Sequence, residues 1–221
     1  KIYSLSTGIR RIFDILEHTA SDFPDYIALS SKKRGVWKSY TYSEYQQIAD
    51  QLTIGLIALG VERGDTIASI TNNRPEWNFL DMAIAQAGAV HVPLYPNYNI
   101  SDFKFILNNA EVKFIFTGNK LLWEILNRIK TDLPLVKDIY CFDEHADIPG
   151  LKNIIEKGAG FYRLDILNKR KSLVQEDDLA TIYYTSGTTG YPKGAMITHK
   201  NITLDITELY KIYNIQKGQK V

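Results

Sequence analysis

The sequence predicts an α/β fold: a layered, mostly parallel, doubly wound sheet with flanking helices. Four apolar, β-rich runs, Thr66–Thr71, Ala89–Leu94, Lys113–Thr117 and Val136–Cys141, recur about 23 residues apart, which is the spacing of βα units. Between them lie stretches whose apolar residues repeat at helical spacing. The 221 residues are 45% hydrophobic and 23% charged, an ordinary globular balance at a length that buries a sizeable core. Right-handed crossovers between parallel strands then put helices on both faces of one open sheet.

Residues 1–65 read as a helix-hairpin-helix lead-in. Ile9, Ile12, Phe13 and Leu16 mark an amphipathic helix that stops near Phe23-Pro24. Ile27–Ser31 and Val36–Tyr40, split by the polar Lys32-Lys33-Arg34-Gly35, form a hairpin. Thr41-Tyr42-Ser43-Glu44 is a capping box, opening a helix with Tyr45, Ile48, Ala49, Leu52, Leu56 and Leu59 on one face and Gly60 as its stop.

Residues 66–141 hold the βα units. Their helices are expected to bury Trp77, Leu80, Ile84 and Ala87, then Phe103, Ile106, Leu107 and Ala110, then Leu122, Ile125, Leu126 and Ile129. Residues 142–176 form a connection: Asp143–Gly160 is polar, with Pro149 and a short helix inside it, and reads as a crossing point that could lead to a second sheet. Another short helix is expected over Tyr162–Asn168. In residues 177–221, strands Leu179–Tyr184 and Ala195–Thr198 flank a glycine-rich loop. Thr198 or His199 starts a final helix with Ile202, Ile206, Leu209 and Tyr213 on one face.

With 26 basic against 25 acidic side chains, the net charge of +1 gives no long-range field for nucleic acid. Cys141 is alone, so no internal disulfide forms, and no apolar leader precedes the first helix; the expected compartment is the reducing cytoplasm. Apolar runs fall short of a membrane span. Arg10-Arg11 and Lys32-Lys33-Arg34 read as a solvated rim, with contact to anionic lipid heads left open. Asn99-Ile100-Ser101 and Asn201-Ile202-Thr203 match the glycosylation pattern, which means little without secretion.

Chemistry is concentrated in Tyr183-Tyr184-Thr185-Ser186-Gly187-Thr188-Thr189-Gly190-Tyr191-Pro192-Lys193-Gly194. Its glycines let the backbone turn tightly and present bare N–H groups to an anion. Thr185, Ser186, Thr188 and Thr189 add hydroxyl donors, and a threonine oxygen can also ligate magnesium. Lys193 supplies a mobile positive charge at the rim. The loop is not a Walker A motif, because Gly187 and Gly190 have the wrong spacing and Lys193 follows a proline. Nor is there a Gly-x-Gly-x-x-Gly fingerprint. A Ser-His or Cys-His arrangement is not visible either. His199 follows closely, but with no acidic residue at helical spacing to orient it, it reads as a helix-start or core histidine.

From Ile182 to Lys193, and outward through Asp177–Thr181 and Gly194–His199, this stretch resembles the signature of the adenylate-forming superfamily of acyl-CoA synthetases, peptide-synthetase adenylation domains and luciferases. Asn73-Arg74-Pro75-Glu76-Trp77, Val92-Pro93-Leu94-Tyr95-Pro96 and Ile106–Lys113 are similar to the long-chain fatty acyl-CoA synthetase branch, although Arg74 and Glu76 also read as a helix-start ion pair. The resemblance implies activation of a carboxylic acid by ATP with Mg2+, then transfer to coenzyme A, an acid–thiol ligase reaction. In that reading Thr185, Ser186, Gly187, Thr188, Thr189, Gly190 and Lys193 hold the phosphates, Thr188 contacts the metal, and Lys193 and Thr188 are the catalytic candidates. The substrates are then a fatty acid, ATP and CoA, with no nucleic acid; peripheral membrane contact and a homodimer stay open. An adenylation domain for an amino or aryl acid, and a non-catalytic binding module, are the alternatives. The chain starts at Lys1 rather than Met, and the family's downstream adenine, ribose and lid motifs do not occur before Val221. The expectation is therefore an N-terminal portion that is inactive alone.

Overall fold

The computed structural model describes residues 8–159, 164–185 and 191–213. Helix α1 (Ile12–Asp22) buries Ile12, Phe13, Leu16 and Ala20. Its start falls three residues after the predicted Ile9, because the Asp14 carboxylate accepts from the N–H groups of Arg10 and Arg11 at 3.0 and 2.8 Å. That makes Arg11 the N-cap. Arg11 is therefore no solvated rim residue: it pairs with Asp14 at 2.7 Å and donates to the Lys171 carbonyl at 2.7 Å.

Strands β1 (Ile27–Lys33) and β2 (Val36–Thr41) form the expected hairpin as a separate two-stranded sheet. The chain reverses through Arg34 (φ 50°) and Gly35 (φ 84°), the left-handed pair of a type I′ turn. Thr41 and Glu44 then close the capping box of α2 (Tyr42–Ala58): Glu44 N–H donates to Thr41 Oγ1 at 3.2 Å, and Thr41 N–H to Glu44 Oε2 at 2.8 Å.

Next come β3 (Thr66–Ile70), α3 (Pro75–Gln86), β4 (Val90–Leu94), α4 (Ile100–Asn109), β5 (Val112–Thr117), α5 (Lys120–Arg128) and β6 (Asp138–Cys141). After them follow α6 (Leu151–Ala159), α7 (Leu164–Ser172), β7 (Leu179–Thr185), β8 (Lys193–Thr198) and α8 (His199–Tyr213). Among the described residues the main sheet has the order β6-β5-β3-β4-β7-β8, parallel except for β8, which runs antiparallel to β7. One face packs Ile67, Phe114 and Phe116 against Leu52, Leu80 and Ile84 of α2 and α3; the other packs Ala68, Ile70 and Ile115 against Phe103, Ile106 and Leu126 of α4 and α5. A sheet covered on both faces needs apolar residues throughout its strands, which is why these strands read as continuous apolar runs.

Three details depart from expectation. Trp77 is half-buried, with its indole N–H donating to Ser69 Oγ at 3.0 Å; Phe79 fills the core in its place. The second connecting helix, α7, runs on to Ser172, held by Arg170, which donates to the carbonyls of Val61 and Ala87 at 3.1 and 3.3 Å. The connection does not lead to a second sheet. It crosses from the β6 edge to β7, beside β4, over the face already covered by α2 and α3, where Ile154 joins the core. Both sequon asparagines serve helix starts: Asn99 caps α4, accepting from Asp102 N–H at 2.8 Å, and Asn201, in the first turn of α8, reaches back to accept from Thr198 N–H at 3.0 Å.

Helices α2 and α6 meet at two glycines. A Cβ on Gly55 would lie 2.3 Å from the Ile154 carbonyl oxygen, and one on Gly158 would lie 2.7 Å from the Gly55 nitrogen. Backbone atoms cannot rotate away as a side chain can. Gly55→Ala is therefore expected to lower stability by about 2 kcal/mol, read from the urea midpoint; an unchanged midpoint would show that α6 is free to shift.

Candidate active site

The glycine-rich loop joins β7 to β8. Thr185 and Lys193 are cross-strand partners at the loop end of that hairpin, and both are exposed. Ser186, Gly187, Thr188, Thr189 and Gly190 lie outside the described residues. The hairpin is built by its own side chains. Tyr184 is buried against the α4 and α5 side of the sheet, its hydroxyl donating to Asn109 Oδ1 at 2.6 Å, while Tyr98 donates to the Tyr184 carbonyl at 3.3 Å. Opposite Tyr184 stands Gly194, where a Cβ would lie 2.8 Å from Ile182 Cγ2 and 3.0 Å from the Tyr184 ring. A larger residue there would have to push the Ile182 and Tyr184 side chains aside. Tyr191 stacks on Phe105 of α4, with centroids 4.8 Å apart and planes at 27°, which ties the returning limb to the sheet. No sequence pattern signals this contact, since Phe105 is off the buried face of its helix.

Because β7 is parallel to β4, its carboxyl end emerges at the same sheet edge as those of β3, β4 and β5. Open α/β sheets take ligands at that edge, where neighbouring strands lead to opposite faces. Here β3 leads to α3 on one face, and β4 and β5 lead to α4 and α5 on the other. A cavity of about 220 Å³ occupies that point, lined by Thr71–Arg74, Pro96, Gly118, Asn119 and Asp143. β7 stands two strands from β3, roughly 10 Å at ordinary strand spacing. A larger cavity of about 480 Å³ lies at the opposite, amino ends of β3 and β5, beside the Lys113–Asp65 ion pair.

Arg74 organises the smaller cavity. Its guanidinium donates to Glu76 Oε2 at 2.9 Å, to the Gly118 carbonyl at 2.9 Å and to Asp143 Oδ1 at 3.2 Å. It is thus the helix-start partner of Glu76 and also a brace across three loops. Burial works against its charge, but the Glu76 hydrogen bond and the Glu76 and Asp143 charges prevail and raise its pKa. Burial likewise raises the Glu76 pKa, but the Arg74 hydrogen bond and charge more than offset it and hold the carboxyl below its usual range.

The donor set fits a phosphate ligand better than a metal held by the protein alone. No group of three or more His, Cys, Asp or Glu side chains that could hold a metal occurs among the described residues. The residues that flank the mouth of the hairpin are Thr185 and Lys193. Such a site suits Mg2+ that arrives on polyphosphate oxygens and takes one or two protein oxygens.

Two histidines have settled roles. His199 is fully buried at the first turn of α8; its Nδ1 accepts from the Ile12 N–H at 3.4 Å, and Phe13 meets its ring edge-on at 6.0 Å. Burial lowers its pKa to about 4, so the ring is neutral. His91 completes an arrangement that the sequence did not reveal: Ser69 Oγ lies 2.8 Å from His91 Nε2, and His91 Nδ1 lies 2.6 Å from Asp81 Oδ1. This has the order of a hydrolytic triad. Ser69 and His91 are each only 1% exposed, however, and Ser69 also accepts from Trp77. The trio therefore ties β3, β4 and α3 together and has no face open to a substrate.

Known proteins resemble this chain in sequence and in fold. A long-chain-fatty-acid–CoA ligase of Mycobacterium bovis is 29% identical over 209 residues, covering 94% of this chain and 34% of the relative. The peroxisomal long chain acyl-CoA synthetase 6 of Arabidopsis thaliana is 33% identical over 210 residues, covering 90% and 30%. The chain thus spans about a third of the length of the curated relatives it matches. Among solved structures, a long-chain-fatty-acid–CoA ligase from Archaeoglobus fulgidus superposes with a TM-score of 0.76 at 20% identity, covering 96% of this chain and 41% of that one. An anthranilate CoA ligase in complex with anthranoyl-AMP gives 0.71 at 20% identity, covering 88% and 36%. The pattern of the AMP-binding enzyme family matches residues 16–220, and the chain belongs to that family.

Proposed function

We propose that this chain supplies the phosphate-gripping part of an AMP-forming acid–thiol ligase whose acid is a long-chain fatty acid. The observation that carries the reading is the β7–β8 hairpin, which sets Thr185 opposite Lys193 at the carboxyl edge of a parallel sheet. In the first half-reaction a carboxylate oxygen attacks the α-phosphorus of ATP, the bond to the β-phosphate oxygen breaks, and pyrophosphate leaves. The carboxylate is already a nucleophile, so the chain's task is to orient the phosphates and offset charge on the departing group. Ser186 to Gly190 would donate to the β and γ phosphates, Thr188 would contact Mg2+, and Lys193 would face the leaving pyrophosphate. When bound, the metal supplies charge neutralisation. In the second half-reaction the CoA thiol attacks the acyl carbonyl and AMP leaves. The fatty-acid reading is supported by the similarity to long-chain acyl-CoA ligases and synthetases and by the segments 73–77 and 92–96.

The test is exchange of labelled pyrophosphate into ATP, run on residues 1–221 and on the uninterrupted reading frame that carries them. The frame is expected to exchange with long-chain fatty acids at least tenfold faster than with aryl or amino acids, a margin within reach of an apolar pocket. The short chain alone is expected to give none. Faster exchange with an aryl or amino acid would replace the substrate assignment. Exchange by the short chain would overturn its incompleteness.

A further inference from the structure

The β1–β2 hairpin stands apart from the main sheet and carries a feature that acid activation does not use. Its base is anchored: Ala28, Leu29 and Tyr40 pack against the core, and Thr41 caps α2. Beyond them it projects without cover, with Val36 and Trp37 exposed at 71% and 64%. Residues 27–41 contain Lys32, Lys33, Arg34 and Lys38 and no acid, in a chain whose whole net charge is +1. The positive field is therefore local to this element.

We propose that this hairpin docks the protein on a bilayer carrying anionic lipid, with Val36 and Trp37 entering the interface and the four cations meeting headgroups. The register places Trp37 opposite Lys32 and Val36 opposite Lys33, so each face of the tip has one apolar side chain beside one cation. Lys32 Nζ lies 5.8 Å from the Trp37 ring centroid. An indole at the interface among lysines and arginines whose stems can snorkel is the arrangement that membrane surfaces favour. The tip is a two-residue type I′ turn at Arg34 and Gly35, whose twist matches that of the strands it joins. From Tyr40 to Val36 the strand projects roughly 14 Å at ordinary rise, sufficient for the roughly 5–10 Å depth of interfacial insertion.

Acidic groups near the hairpin lie at its flank. Lys33 Nζ is 3.9 Å from Asp143, an exposed pair of little strength, and Glu76 and Glu144 act on Lys38. Lys32 and Arg34 keep their charge available for headgroups. A second copy of this chain is a poor occupant, since edge-to-edge pairing would bring these lysines together. A soluble polyanion would satisfy the cations but would give Val36 and Trp37 no apolar partner.

The experiment is co-sedimentation of the chain with phosphatidylcholine vesicles, with and without about one third phosphatidylglycerol. Binding is expected on the anionic vesicles only, weakening as salt rises. Each cation near such a surface changes partitioning about fivefold, so Lys32→Glu with Arg34→Glu should lower binding at least tenfold. Val36→Ser with Trp37→Ser should do the same. Far-UV circular dichroism would confirm that these exposed substitutions leave the fold intact. Trp37 fluorescence should shift to the blue on binding and the shift should vanish in Trp37→Phe, because the Trp77 and Trp123 indoles are held by Ser69 Oγ and the Ile139 carbonyl within the fold. Equal binding to neutral vesicles, binding unchanged in both double variants, or displacement by heparin with no fluorescence shift would each overturn the proposal; the last would point to a polyanion partner.

Discussion

Lys193→Ala, introduced into the uninterrupted reading frame, is expected to cut acid-dependent pyrophosphate exchange by about 10² to 10³, the loss typical when one preorganised group facing developing charge is removed. Lys193 opens β8 opposite Thr185, and its side chain is exposed, so the fold does not depend on it. The effect should therefore fall on kcat for exchange more than on the apparent KM for ATP, with an unchanged urea midpoint. Lys193→Arg keeps the charge but replaces a compact mobile ammonium with a planar fork, and should recover only part of the rate. A lowered midpoint in Lys193→Ala, or full activity in it, would remove Lys193 from the reaction.

How much of this was legible in the sequence depended on whether a feature is local. The four parallel strands, their helices and the capping box at Thr41 and Glu44 are written in short-range periodicity, and they stand within a residue or two of where it placed them. The β7–β8 hairpin was legible for the same reason. Features set by distant contacts were not. The start of α1 is a local exception: the Asp14 carboxylate reaches back only three residues to the Arg11 N–H, but arginine is not among the residue types that usually mark an N-cap. The path of residues 142–176 depends on Gly55 and Gly158 letting α6 lie against α2, which no local pattern announces. The Ser69–His91–Asp81 relay joins residues 10 and 22 apart, and only the parallel pairing of β3 with β4 brings them together. Arg74 read correctly as the partner of Glu76, yet its reach to Gly118 and Asp143 is a property of the assembled edge. For Ser186 to Gly190 the assignment rests on sequence and family membership.

A buried neutral histidine makes the chain acid-sensitive, and His199 is expected to dominate the loss of stability below neutrality. In the unfolded chain its pKa is near the ordinary 6.5; in the fold, burial brings it to about 4. The nearby Asp178 charge works in the other direction but does not compensate. Between these values the unfolded state binds a proton that the folded state refuses. The stabilisation is complete above pH 6.5 and is lost as pH falls toward about 4, at about 1.4 kcal/mol per pH unit, or roughly 3 kcal/mol in all. Asp14, Glu76 and Asp178, whose pKa values are lowered, add acid sensitivity only where carboxylates titrate, below about pH 4.5. Asp50, whose pKa burial raises, opposes them, because a carboxyl that holds its proton better when folded stabilises the fold as pH drops. Between pH 6.5 and 5 the carboxylates with lowered pKa values stay ionised, and comparison with a His199 variant separates the histidine's share from that of Asp50. Across that interval the His199 contribution to the native chain's stability should fall by about 1.6 kcal/mol by urea titration, while His199→Gln, whatever its starting stability, should lose well under half of that. Equal slopes in the two proteins would mean that the ring is protonated inside the fold and that the acid sensitivity lies elsewhere.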